Sequence, residues 1–131
     1  MNFEKSLKLI MKAALDGAKP KGKFRNLPQK PKGKLIVLGA GKAGASMAQE
    51  FENIYDGPLE GLVITRYGHY TKTNFIKIIE ASHPEPDKNG LIASKKIFEL
   101  ATQSSKDDHV VFLISGGASS LLTLPAKGVR F

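Results

Sequence analysis

The sequence predicts an α/β fold, a Rossmann-like and mostly parallel sheet with helices on both faces. Three observations lead there. Short apolar runs, "LIVL" at 35–38, "LVIT" at 62–65 and "VVFLI" at 110–114, have the length of strands and the unbroken hydrophobicity of strands covered on both sides. Between them lie stretches whose apolar residues return every three or four positions, as on a helix. Two of the runs empty into small-residue turns, "GAGKAG" at 39–44 and "SGGASS" at 115–120, the punctuation expected where a strand hands over to a helix.

Phe3, Leu7, Ile10, Met11, Ala14 and Leu15 make the stripe of an amphipathic helix over residues 1–16, ending at Gly17. Packing of that stripe on the rest of the molecule is the expected use, and a membrane-surface helix is the alternative, because Lys5, Lys8 and Lys12 share its polar face. Residues 17–33, "GAKPKGKFRNLPQKPKG", are basic and rich in Pro and Gly and read as an exposed connector. Residues 34–131 read as the first part of an α/β domain. Its strands are 35–38, 62–65, 75–81 and 110–114, and the third of these alternates enough to be an edge strand. Its helices are 43–54 and 89–103, and another begins after the second glycine turn. The first of these carries Met47, Ala48, Phe51 and Ile54 on one face; the second carries Ile92, Ile97, Leu100 and Ala101. With four strands and "LPAKGVRF" following the last helical turn, the sheet is expected to be incomplete at its C-terminal end, as in a fragment of a larger two-domain enzyme or a truncated product.

Composition bounds the function. At 131 residues, 41% hydrophobic and 24% charged, the chain has the make-up of one ordinary globular domain. It contains no cysteine, which removes disulfide frameworks and thiolate metal sites and makes the cytoplasm the default location. No apolar run approaches the roughly 20 residues of a membrane span, so no membrane partner is expected. The net charge of +8 is concentrated at one end: residues 1–34 hold ten Lys and Arg against two acids, and the remainder holds ten of each sign. No aromatic residues alternate with those lysines as stacking platforms would, which argues against nucleic acid.

Gly39-Ala40-Gly41-Lys42-Ala43-Gly44 satisfies G-x-G-x-x-G between a strand and a helix. Side-chain-free residues let backbone N–H groups approach an anion at the positive end of a helix dipole. A dinucleotide site also wants an acid after the next strand to hold ribose hydroxyls. Thr65 and Arg66 stand there instead, so NAD(P) is the lesser reading, with Arg66 able to accept a 2′-phosphate. A P-loop is excluded by Ala43 after Gly-Lys and by the spacing. Lys42 opposes the dipole unless an anion neutralises both; the alternative is that its side chain reaches solvent.

Ser115, Gly116, Gly117 and Ser119 form the second candidate cradle, with room for close backbone approach and hydroxyls to donate to anionic oxygens. Helix capping by Ser115 or Ser119 is the competing use. G-x-S-x-G is absent, so this is no nucleophile elbow. His83, in the "ASHPEPD" loop, stands where it can reach a ligand or serve as a structural hydrogen-bonder; Asp87 or Asn89 can cap the following helix. His69 and His109 show no metal-ligand spacing, and no protein-built metal site is expected.

In this order and spacing, "VLGAGKAGASMA", "EASHPEPDKNGLIAS" and "LISGGASSLLTLPAKGV" resemble the N-terminal part of the type-2 glycerate kinase family, often labelled hydroxypyruvate reductase and ending in a MOFRL-type domain. The resemblance runs through the whole chain but covers about a third of such a protein. It implies ATP-dependent phosphorylation of D-glycerate at its 2-hydroxyl with Mg²⁺, in a cleft between two α/β domains. It implies that Lys42 is an active-site cation, that the turn from Ser115 to Ser119 cradles phosphate or substrate, and that His83 and Pro84 occupy a His-Pro loop of unassigned role. Where many relatives have Gly-Gly-Gly-Ser this chain has Ala118, whose methyl group restricts positive φ. The chain alone is expected to be inactive as a kinase, because the facing half of the cleft lies outside it. An NAD(P)-dependent hydroxypyruvate reductase and a non-catalytic anion-binding remnant are the alternatives, and the open sheet edge admits a homo-oligomer or a missing C-terminal portion as partner.

Overall fold

The computed structural model describes residues 2–131. Its seven elements, in chain order, are α1 (Phe3–Ala18), β1 (Leu35–Gly41), α2 (Gly44–Ile54), β2 (Leu59–Arg66), β3 (Ile76–Ala81), α3 (Lys88–Thr102) and β4 (His109–Ser115). The four strands are all parallel and ordered β3-β2-β1-β4. From β1 the chain steps to one side twice, then crosses back over two strands to β4. Right-handed crossovers in opposite directions must lie on opposite faces, which is why α2 and α3 cover different sides of the sheet.

The alternation along β1 divides the core. Ile36, Leu38 and Ala40 pack with Ile64 and with Ala93 and Ile97 of α3. Leu35 and Val37 pack with Val63 and with Ala48 and Phe51 of α2. All seven residues of β1 are buried, as its unbroken apolar start requires. Two strands are longer than their apolar runs: β1 continues through Gly39–Gly41, and β2 begins at Leu59. Their extra residues take their place from the ladder, where Leu35 pairs with Leu59 and Gly41 with Ser115. β3 is an edge strand, as its alternation predicts, and Glu52 of α2 fastens its start by accepting from the amides of Asn74, Phe75 (3.1 Å) and Ile76 (3.0 Å). Burial alone would raise the Glu52 carboxyl, but these amides outweigh it and hold the group below its ordinary pKa.

Two expectations fail. The apolar stripe of α1 is not packed against the domain: none of its described residues is buried, and Ile10 and Met11 are about two-thirds exposed. Asn2 caps the helix through its side-chain oxygen, so local signals make it without tertiary cover. The apolar surface beside α2 is taken instead by Phe24 of the connector, edge-on to Phe51 at 5.5 Å, while Glu50 accepts from the Gly22 amide at 2.8 Å. The connector is therefore anchored at two points. The second failure is the helix expected after residue 117. Ala118 has φ +50°, outside the right-handed helical region, and Pro125 disfavours helix at Leu124. Only one isolated turn forms, with the amides of Leu121 (3.0 Å) and Leu122 (2.8 Å) donating to the Ala118 carbonyl.

Candidate functional site

In an open sheet of order 3-2-1-4 the connections leave β1 and β4 on opposite faces, so a crevice opens between their carboxyl ends. Both small-residue turns are delivered there. Gly41 pairs with Ser115 at the last rung of the ladder, and Lys42 and Gly116 begin the two turns side by side.

The first turn is fixed from three directions. Gly41 has φ +133°, and a Cβ there would run into the carbonyl oxygen and side chain of Ser115. The Ala43 amide donates to Ser115 Oγ at 3.2 Å, and Ser46 Oγ donates back to the Ala43 carbonyl at 2.9 Å. Thr65 Oγ1, fully buried at the end of β2, donates to the Lys42 carbonyl at 3.4 Å. Thus the position where a dinucleotide site would hold an acid is occupied by a hydroxyl that braces the lysine's backbone. The Lys42 side chain is exposed. Ala43 supplies no side-chain cap to α2, so the first-turn amides keep their donors for another acceptor.

The second turn rests on α3. Leu121 is fully buried, and its carbonyl accepts from Ser94 Oγ at 3.4 Å. Ser115 does not cap a helix of its own; its oxygen takes the amide of the opposite turn. With no helix after 117, the second turn contributes small residues and backbone rather than a dipole.

A cleft of about 190 Å³ lies between the turns, lined by Gly41, Lys42, His83, Ser115, Gly116, Gly117, Ala118, Ser119 and Leu121. Of the residues expected to cradle the anion or border it, all but one therefore meet, while Arg66 lies outside the lining. The exception is Gly39, which is interior to β1 and lacks a side chain because β4 passes close by: a Cβ would overlap the Leu113 carbonyl. His83 is half-buried and arrives on the loop between β3 and α3, where its peptide bond to Pro84 is cis. No Asp or Glu lines the cleft. An acid-free crevice with one lysine, several small residues and an uncapped helix start suits an anionic oxygen group.

Beyond the cleft, Asp87 caps α3, accepting from the Gly90 amide at 2.8 Å and from the Tyr67 hydroxyl at 2.7 Å; Asn89 donates to the same hydroxyl at 2.8 Å. Burial would raise the Asp87 carboxyl, but the Gly90 amide and Tyr67 hydroxyl prevail and lower it. A broader open hollow of about 690 Å³ lies on the other side of Lys42, between it and Lys8, Met11, Lys12 and Leu15 of α1. Among the described residues no three His, Cys, Asp or Glu converge as a metal site, and no helix is long and apolar enough to cross a membrane. Thr65, Ser94 and Tyr67 are the contributors that sequence reading missed. Thr65 alone carried a signal, as the polar end of an otherwise apolar strand.

Residues 6–131 match the family model described as a domain of unknown function, DUF4147. A protein named putative hydroxypyruvate reductase from Agrobacterium vitis is 47% identical over 91% of this chain and 28% of its own length. A D-glycerate 2-kinase from Thermotoga maritima is 34% identical over 92% of this chain and 30% of its own. Among solved structures, a protein of Pyrococcus horikoshii superposes with TM-score 0.82 at 29% identity, covering 99% of this chain and 33% of that one. A glycerate kinase from Thermotoga maritima superposes with TM-score 0.80 at 33% identity, covering 96% of this chain and 32% of that one. The chain thus spans about a third of the length of the proteins it matches.

Proposed function

Because the chain belongs to the DUF4147 family over nearly its whole length, we propose that it carries the anion-cradling part of a glycerate 2-kinase site. The reaction is phosphoryl transfer from ATP to the 2-hydroxyl of D-glycerate. The observation that supports this reading is the convergence of Lys42, His83 and both small-residue turns in one acid-free cleft at the switch point of the sheet. A loosely bonded phosphoryl group asks little covalent chemistry of a protein; positioning and charge neutralisation dominate. In this chain the amides at the start of α2 and the glycine amides of the second turn orient anionic oxygens, and Lys42 balances their charge. Ser115 holds the two turns in register, and His83 borders the bound group.

ATP fits these residues as a phosphate-bearing substrate. No Asp or Glu lines the cleft, so a divalent cation accompanying ATP would be held mainly by the phosphates, with the hydroxyls of Ser115 and Ser119 the neutral oxygens nearest to it. This chain spans about a third of the length of the relatives it matches, and we expect the 131 residues by themselves to release no ADP from ATP and D-glycerate.

The test is a complete kinase carrying this segment. Lys42→Ala should lower kcat/KM for D-glycerate by roughly 10²–10³-fold, the scale of losing a preorganised charge or donor, with the circular dichroism spectrum unchanged. Retained phosphorylation would remove Lys42 from the site. Oxidation of NADH or NADPH by hydroxypyruvate, without ADP formation from glycerate, would transfer the proposal to a reductase. Against that outcome stands the buried Thr65 where a ribose-binding acid belongs.

A further inference from the structure

His83 reaches the anion cleft on a loop with little packing of its own. Residues 82–87 run from the end of β3 to the cap of α3, and Pro84, Glu85 and Pro86 in the middle are exposed. The two prolines fix φ along that stretch, so where the imidazole stands depends on how the ends of the loop are held. Both ends are held by Tyr67, the first residue after β2. Its amide donates to the Ala81 carbonyl at the entry, at 3.2 Å, and its hydroxyl donates to Asp87 Oδ2 at the exit, at 2.7 Å. Asn89 donates to the same hydroxyl at 2.8 Å, so the phenol is engaged both as donor and as acceptor.

Packing does not account for a tyrosine here, because Tyr67 is 51% exposed. Capping does not account for it either. Asp87 Oδ1 takes the Gly90 amide at 2.8 Å and caps α3 without help from the phenol. What the hydroxyl adds is a tie across the mouth of the loop that carries His83. Two residues earlier Thr65 braces the Lys42 carbonyl, so the end of β2 sets the lysine and the histidine against one strand. Donation to a carboxylate raises the Tyr67 phenol above its ordinary pKa, which keeps it protonated and a donor at neutral pH. We infer that Tyr67 is a positioning residue of the anion site: it stands outside the lining of the cleft and acts on a bound oxyanion through His83, by bracing both ends of the loop. The inference rests on reading the cleft as an anion cradle and names the residue that aligns one wall of it.

Titration of the 131-residue chain with inorganic phosphate, followed by NMR at the Gly116 and Gly117 amides, tests it. Tyr67→Phe removes the hydroxyl and keeps the ring. Phosphate affinity should fall about fivefold, the scale of one lost hydrogen bond. The amides of Ser82, His83 and Glu85 should exchange faster with solvent, while those of β1 keep their protection. With His83→Ala already in place, Tyr67→Phe should change the affinity by less than about 1.5-fold, because its route runs through the imidazole. Unchanged affinity in Tyr67→Phe, an equal loss with and without His83, or a loss without faster exchange in the loop would each overturn the inference and leave Lys42 in the site. Lys42→Ala checks the cradle separately and should weaken phosphate binding. If it does not, or if Gly116 and Gly117 fail to respond to phosphate, the anion reading falls and takes this inference with it.

Discussion

The two small-residue turns that meet at the carboxyl edge of the sheet are alike in composition and are held by different means. The turn after β1 is locked into the core: Gly41 and Gly44 are buried, and eleven residues of helix continue from it, with Ala48 and Phe51 anchoring it below. The turn after β4 is open: Gly116, Gly117 and Ser119 are exposed, and the chain beyond them makes a single helical turn seated on α3 through Leu121. Lacking a helix of its own, the second turn borrows rigidity from the first through Ser115 and the Ala43 amide. Small residues alone therefore do not make a rigid cradle; the element packed behind them does. The lysine stands on the braced turn, and the residues with room to adjust stand on the other.

Given that contrast, the largest effect should come from disturbing the locked turn. Gly41→Ala places a methyl group against the Ser115 backbone at φ +133°, a conformation alanine avoids. Backbone strain and overpacking together should cost about 3 kcal/mol or more, a large share of the roughly 5–15 kcal/mol that holds a domain folded. Urea denaturation should show the loss as a lower midpoint at constant slope. Gly117→Ala, at a position where a Cβ meets open space, serves as the control and should change little. Equal effects would abolish the distinction between the turns.

That contrast also marks how far the sequence could be read. Period-two and continuous apolar runs revealed all four strands, and three-to-four spacing revealed α1, α2 and α3, because those patterns reflect burial within or beside one element. The turns and the pairing of Lys42 with Ser115 to Ser119 were legible because glycine and serine after a buried strand have few other uses. What escaped depends on other elements. The exposed stripe of α1 has the same pattern as a buried one, and only the position of Phe24 shows that the adjoining surface is filled. The missing last helix was hidden because "ASSLLTL" has helical spacing, while Ala118 stands at φ +50° and packs on the cluster that holds Ala93 and Ile97 of α3. Gly39 looked like a phosphate loop residue, yet its constraint comes from β4, 74 positions away at Leu113.

A smaller perturbation should separate the borrowed rigidity from the local kind. Ser115→Ala removes the acceptor of the Ala43 amide and leaves the backbone of both turns unstrained. A partly buried hydrogen bond of this kind is worth about 1 kcal/mol, or several degrees in melting temperature for a domain of this size. The informative readout is local. Hydrogen exchange at Ala43 should quicken and the second turn should loosen, while amides in β1 change only with global stability. Ser115→Thr keeps the hydroxyl and should restore most of the protection. Should Ala43 exchange be unaffected by Ser115→Ala, the turns are stiffened separately.

The smallest effect carries the comparison in the opposite direction. Ala118 is a non-glycine residue at φ +50°, a conformation that costs an L-residue roughly 1–2 kcal/mol. Ala118→Gly relieves that strain but enlarges the conformational freedom of the unfolded chain, which offsets about 0.4–1 kcal/mol. The net should be a gain of about 0.5 kcal/mol, so the melting temperature should rise by roughly 2 °C. The same pair of residue types is exchanged at Gly41 and at Ala118, with opposite signs expected, because one site is a glycine that the fold requires and the other an alanine that the fold tolerates. A loss of stability in Ala118→Gly would mean that the methyl group contributes more by packing beside Leu121 than it costs in backbone strain. The open turn would then be held by its own side chains, and Ser115 would no longer be its main support.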